Sequence, residues 1–303
     1  MRIEARGVTK RYGRVAALDG VSFEVAPRSR VALVGPNGSG KSTLNRVLMG
    51  LVACEGYVRL DGRCPLRERH ALARATAYVP QTAPQLAAPV DEVVRAIARV
   101  RGLEPKSVAS VAAELDLDLA SVARRPFRSL SGGTKQKLLI ALALSARASL
   151  LILDEPTGSL DAHARERFFA RFEALAPEVT LVLCSHRLDE IRPLVDHVLL
   201  LDDGRVGYDG PAAAFLERCA LATIDVWADG EEAAAWLSSR GFRRGAGGSF
   251  RRTVDHAEKM KLVSELLETL GPRVRNLSAR DLEGVDLGGA MPGADGAARP
   301  ARG

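Results

Sequence analysis

No apolar run in this 303-residue chain approaches the length of a bilayer-spanning helix. The longest, such as LLIL from Leu150 and TLVLCS from Thr180, stop far short of the roughly 18–20 residues that a span needs. The first residues, MRIEARGVTKRYG, alternate apolar and polar side chains as a strand does and lack the apolar core of a secretory signal. The chain is therefore expected to stay in the cytoplasm and to cross no membrane by itself. Cysteine is scarce: Cys54, Cys64, Cys184 and Cys219 form no C-x-x-C pair and have no histidine cluster beside them. That spacing argues against a metal site or a disulfide framework and for small buried hydrophobes. No N-K-x-D-like base reader is visible, which disfavours guanine nucleotides. A concentrated charge of one sign is also missing. The formal charge of +6 comes from scattered arginines, many of them near acids, so no nucleic-acid partner is expected.

With 47% hydrophobic and 26% charged residues, the composition is that of a globular protein, and the length fits one large domain plus a smaller one. Strand patterns in IEARGVTKRY, GVSFEV and RVALVG are followed by a helical KSTLNRVLMGL, then by short strands in GYVRLDG and TAYVP. Residues 83–147 carry helical periodicity with no strand candidate and read as a helical insert. SLLILDEP and VTLVLCSH read as buried strands with the helical DAHARERFFARFEAL between them. The alternation predicts an α/β core with a mainly parallel sheet and its chemistry at the C-terminal strand ends. HVLLLDDGRVGYDG predicts a hairpin turned by Asp203 and Gly204, closing a first domain over 1–219. The segment 220–287 reads as strand, helix, strand, helix, strand, a small α+β unit of ferredoxin-like type. The Gly, Ala and Pro-rich residues 288–303 read as a disordered tail.

Chemistry is concentrated in three places. Gly35-Pro36-Asn37-Gly38-Ser39-Gly40-Lys41-Ser42-Thr43 satisfies G-x-x-x-x-G-K-[ST] between a predicted strand and a predicted helix. Glycines let the backbone curl so that its N–H groups face phosphate oxygens, and the helix N-terminus adds partial positive charge. Lys41 would reach the β- and γ-phosphates, and Ser42 would place its hydroxyl on Mg²⁺. The second place is LLILDEP, where Asp154 suits the Mg²⁺ shell and Glu155 is placed to orient and deprotonate an attacking water. Together these two predict a nucleotide hydrolase. The third is LSGGTKQKLLIALAL, in which Ser131, Gly132 and Gly133 open an amphipathic helix and form a second helix-terminal anion site.

This third element resembles the signature of ATP-binding cassette ATPases, and the order of motifs from about Ile3 to Gly210 is similar to that family. The resemblance implies a P-loop core with antiparallel N-terminal strands, ATP and Mg²⁺ as nucleotide and cofactor, and a head-to-tail dimer. In that dimer Ser131, Gly132, Gly133 and Asp161 of GSLD would act in trans on the ATP held by a second copy. Asp161 is equally suited to cap the helix that follows it. Tyr12 resembles the aromatic that stacks on adenine, with strand packing as the alternative. Gln81 of YVPQ resembles the residue that joins Mg²⁺ and water to the insert, and His186 of LCSH resembles the switch histidine at the γ-phosphate. Thr134 departs from the family's more usual Gln.

What the cycle drives is a further implication. A separate integral-membrane permease would dock near Gln81, holding the chain on the inner face of the cell membrane. Soluble relatives in translation control or DNA repair carry two cassettes or a long coiled-coil insertion, and neither is present. VRNLSARDLEGVDL resembles the distal segment of exporter ATPases. SGGTKQK and CSH are also similar to the ATPase that serves copper-site maturation of nitrous-oxide reductase, although no residue is a credible copper ligand.

Overall fold

Alternation at the N-terminus makes a half-buried sheet. In β1 (Ile3–Tyr12), Ile3, Ala5 and Val8 are buried while Arg6 and Gly7 face outward. β1 pairs antiparallel with β2 (Val15–Val25). The next strand, β3 (Arg30–Val34), is instead a continuous apolar run buried on both faces, as a central parallel strand must be. It delivers the chain through the glycine loop into α1 (Lys41–Leu48). β4 (Glu55–Leu60) then returns to the other edge of β1, giving an antiparallel sheet in the order β2-β1-β4.

These observations come from a computed structural model that describes residues 1–175, 178–185, 193–219, 221–245 and 248–281. After a one-turn helix, α2 (Arg69–Leu72), β5 (Thr76–Val79) leads into the insert. Its helices are α3 (Val90–Arg101), α4 (Pro105–Glu114), α5 (Leu119–Val122) and α6 (Gly132–Ser145). Regular helix starts at Val90, because Pro84 and Pro89 keep the preceding segment out of helical geometry. α6 modifies the expectation of an amphipathic helix: from Leu138 to Ser145 only Leu139 escapes full burial, so its C-terminal half is wrapped by protein on nearly all sides while its first turn stays open.

β6 (Leu150–Asp154), α7 (Ala162–Leu175), β7 (Thr180–Cys184), β8 (His197–Asp202) and β9 (Arg205–Pro211) complete the core. The second sheet has the order β5-β6-β7-β3-β8-β9, parallel except for the β8–β9 hairpin. Asp203 and Gly204 turn that hairpin with φ of 46° and 80°, the paired left-handed conformation of a tight two-residue turn. The Gly204 N–H donates to Ser39 O at 3.2 Å, and Gly204 O accepts from Asp19 N at 2.8 Å. One apolar core joins both sheets to α1 through residues such as Ile3, Leu18, Leu33, Leu44, Leu60, Ile152 and Leu199. Cys184 is buried there, whereas Cys54 and Cys64 are half-buried and all three are free thiols, so among the described side chains the expectation of buried cysteines holds fully for Cys184; the side chain of Cys219 lies outside them. No helix among the described residues is long and apolar enough to cross a membrane.

The chain divides into two compact units, Met1–Ala213 and the part from Ala214 onward, with the boundary inside α8 (Ala212–Cys219). The second unit contains β10 (Leu221–Ala228), α9 (Glu231–Ser239), β11 (Arg243–Arg244), β12 (Phe250–Asp255), α10 (His256–Leu270) and β13 (Val274–Asp281). Its sheet runs β11-β12-β10-β13, all antiparallel, which is the βαββαβ order of a ferredoxin-like unit. Ile224, Val226, Leu237, Phe250, Val254, Leu262 and Leu266 form its own core. The tail expected over 288–303 lies outside the described residues.

Candidate functional site

Register in the parallel sheet brings the loop and the acids to one edge. Leu33 and Asp154 both align with Cys184, and Val79 aligns with Leu153. Gly35, Glu155 and Gln81 therefore emerge within two residues of neighbouring strand ends, the position where open α/β sheets place ligands.

The loop cannot be built with other residues at its two ends. Gly40 caps α1 at φ 104°, and a Cβ there would lie 2.3 Å from Ala17 O. A Cβ on Gly35 would lie 2.2 Å from Leu201 O. The loop is thus pressed between β2 and β8. Lys41 bends back inside it, its Nζ donating to Gly35 O at 2.6 Å and Pro36 O at 2.9 Å. That holds a mobile cation within the curl of backbone where an anion would sit. Pro36, Asn37, Gly38 and Ser42 are exposed, whereas Ser39 and Thr43 are buried. Ser39 Oγ has no hydrogen-bond partner among the described residues.

Asp154 ends β6 almost fully buried, and burial pushes its carboxyl above the usual range. Hydrogen bonds from Tyr78 and Asn45 and the charges of Lys41 and Arg46 act against that rise. Tyr78 OH donates to Asp154 Oδ2 at 3.3 Å, and burial together with the Asp154 charge pushes the phenol up in turn. Asn45, wholly buried on α1, also donates from Nδ2 to Cys184 Sγ at 3.1 Å. Glu155 takes the left-handed conformation at φ 48°, a costly backbone state for a non-glycine residue, while its N–H donates to Cys184 O at 2.8 Å. Tyr78 and Asn45 were absent from the residues picked out by sequence. A polar Asn inside the apolar face of LNRVL was the one available signal for Asn45.

The serine-glycine element is built as a helix start. Ser131 Oγ accepts from Thr134 N at 3.1 Å and lies 2.7 Å from Thr134 Oγ1, so the unusual Thr134 reinforces the cap. Ser131 and Gly132 are exposed and Gly133 is half-buried. A Cβ on Gly133 would lie 2.9 Å from Ser159 O, and buried Gln136 donates to Pro156 O at 2.9 Å. α6 is thus fastened to the loop that follows the acidic strand. In that loop Asp161 caps α7 through Ala164 N at 2.8 Å and lies 3.7 Å from Lys137 Nζ. The Ala164 hydrogen bond is the main reason its carboxyl is held low.

Among the described residues no hydrogen bond or ion pair joins Ser131, Gly132 or Gly133 to the loop at 35–42. Tyr12 is 46% exposed with Lys10 Nζ 5.3 Å from its ring centroid, so it is a surface ring and not core packing. Gln81 is exposed in the segment after β5. His186 lies outside the described residues.

A family model described as ABC transporter matches residues 18–158. The chain is 33% identical over 272 residues to a sulfate/thiosulfate import ATP-binding protein of Bradyrhizobium diazoefficiens, covering 82% of this chain and 77% of that one. It is 34% identical over 233 residues to the Nod factor export ATP-binding protein I of Mesorhizobium japonicum, covering 74% and 68%. Its fold matches a dimeric structure of a bacterial ABC transporter cassette with a TM-score of 0.61 and 25% identity, covering 69% of this chain and 98% of that one. The chain belongs to the ATP-binding proteins of ABC transporters. It is a transporter ATPase with a P-loop core.

Proposed function

We propose that two copies of this chain close head to tail around two ATP molecules and drive a separate membrane permease. Lys41 and the Gly35–Gly40 backbone N–H groups bind the phosphate chain, Tyr12 stacks on adenine, and Glu155 orients the attacking water. Thr43 completes the nucleotide-binding segment, and His186 senses the γ-phosphate. Asp161, Ser131, Gly132 and Gly133 complete the site of the opposite copy. The carrying observation is the exposed, Ser131-capped start of α6, which among the described residues makes no hydrogen bond or ion pair to its own phosphate loop.

The donor set fits Mg²⁺. Asp154 is a buried carboxylate pushed above its usual range by that burial, and Ser42 offers an exposed hydroxyl at the start of α1. Among the described residues no group of three or more His, Cys, Asp or Glu side chains forms a metal cage. Mg²⁺ suits such a sparse site, because it keeps waters and takes phosphate oxygens. Ser42, Asp154 and Gln81 would hold it, and the bound ion would neutralise charge developing on the phosphates.

Mixing two inactive variants tests action in trans. Ser131→Arg blocks the signature and Lys41→Ala disables the loop, so each homodimer has two damaged sites. Their heterodimer has one intact site, built from the loop of the Ser131→Arg chain and the signature of the Lys41→Ala chain. Partial ATPase recovery is expected on mixing. Demonstrated heterodimers with no recovery would reject the head-to-tail arrangement.

The permease places the chain on the inner face of the cell membrane. The proposal of export rests on the ending VRNLSARDLEGVDL, whose part beyond Asp281 lies outside the described residues. Relatives of similar identity carry both import and export names. Flux measured in vesicles holding the copurified permease decides direction, and fractionation without any membrane partner would favour a soluble role.

A further inference from the structure

Asn45 is a polar side chain set into the apolar core. It is wholly buried, and Leu44, Val47 and Leu48 of the same helix belong to that core. Its Oδ1 has no hydrogen-bond partner among the described residues, and a buried amide with an unmet acceptor destabilises a fold. A residue kept there against stability marks a functional demand. Its Nδ2 reaches across to Cys184 Sγ at 3.1 Å, 139 residues away in the chain. Cys184 is the last residue of β7, opposite Asp154 in the ladder with β6 and opposite Leu33 in the ladder with β3. Its carbonyl accepts from the N–H of Glu155 at 2.8 Å. Cys184 thus holds two elements at once: its side chain takes α1, and its backbone takes the turn where Glu155 stands at φ 48°. A left-handed conformation at a non-glycine residue lasts only where its surroundings fix it.

We propose that Asn45 is a positioning residue for hydrolysis: it fastens the end of β7 to the nucleotide-binding helix and, through the Cys184 carbonyl, holds Glu155 in its left-handed turn. This rests on the reading of Glu155 as the residue that orients the attacking water. α1 starts at Lys41, so the helix that answers to the phosphate chain also carries Asn45, one turn on. A shift of the loop is thereby felt at Glu155 through two hydrogen bonds, Asn45 to Cys184 and Glu155 to Cys184. Asn45 also bonds Asp154, so a change at Asn45 disturbs two carboxylates together. A change of the Cys184 side chain leaves the Asp154 bond and the backbone carbonyl in place. Cys184 is therefore the position at which the strut is separable from the rest of the site.

Single-turnover phosphate release by the full chain, with ATP and Mn²⁺ affinities measured beside it, tests the proposal. Cys184→Ala should slow release about five- to tenfold, the scale of one hydrogen bond, with both affinities unchanged. Cys184→Ser leaves a gap of nearly the same size but restores an acceptor, and it should return most of the rate. In an Asn45→Leu chain, Cys184→Ser and Cys184→Ala should give equal rates, because the donor is gone. Added to Glu155→Gln, Cys184→Ala should slow release no further, since no carboxylate remains to be positioned. Native release by Cys184→Ala would overturn the proposal, as would equal losses in Cys184→Ala and Cys184→Ser. So would a Cys184→Ala loss that persists in full beside Glu155→Gln. Glu155→Gln releasing phosphate at the native rate is a different failure: it would strike the role given to Glu155, and this proposal with it.

Discussion

Tyr78→Phe removes one oxygen from the site and leaves the half-buried ring in place, so it opens no cavity. The lost group is the donor to Asp154 Oδ2 at 3.3 Å. A hydrogen bond to a charged acceptor contributes about 1.5–3 kcal/mol, and this one is long, so the lower end of about 1.5 kcal/mol applies. That corresponds to about tenfold in an equilibrium. Asp154 is already pushed up by burial and would lose one of the two hydrogen bonds that act against the rise. Its ionised form becomes harder to reach, so the acid limb of metal-activated ATPase should move to higher pH. Metal activation should weaken by about tenfold near neutral pH. Mn²⁺ binding followed by electron paramagnetic resonance, with a non-hydrolysable ATP analogue, reads the metal directly and separately from turnover. Unchanged Mn²⁺ affinity together with an unmoved acid limb would refute the claim that Tyr78 holds this carboxylate.

Asp154→Asn should raise the melting temperature of the nucleotide-free protein at neutral pH while abolishing turnover. The folded-state carboxyl is raised, so this group costs nothing below the unfolded carboxylate range and destabilises increasingly as pH rises through its folded value. Melting curves across pH should show the gain of the variant vanish in acid. Gly40→Ala forces an L-residue to φ 104° with its Cβ 2.3 Å from Ala17 O. Left-handed strain alone costs about 1–2 kcal/mol, roughly 2–4 °C of melting temperature per kcal/mol, and nucleotide binding should be lost with it. Glu155→Gln should bind ATP and hydrolyse it about 10²–10⁴ times more slowly, measured by single-turnover phosphate release.

Legibility followed the range of each interaction. The Asp203-Gly204 turn was readable because two adjacent residues must both take positive φ, a purely local demand met by few residue types. The glycine loop was readable for the same reason. β11 was not, since Arg243 and Arg244 are too few to show alternation and become a strand only by pairing with β12. α8 was missed because AAAFLERC is short and follows a hairpin with no capping signal. α6 looked two-faced in sequence, yet its surroundings cover its C-terminal half on nearly every side. Tyr78 and Asn45 reach Asp154 through strand register and helix docking across 76 residues in the first case, a relation that no local pattern carries.

The turn at Asp203 and Gly204 looks like a place where a chain could accept extra residues, being the tip of an edge hairpin. Its bonds to Ser39 and Asp19 make it the rear wall of the phosphate loop instead. An affinity tag or a fluorescent reporter inserted there would displace the loop from behind, so permissive labelling sites must be sought elsewhere. The same bonds make the Gly204 amide a built-in reporter, since any nucleotide that tightens the loop should slow hydrogen exchange at a position that never touches it.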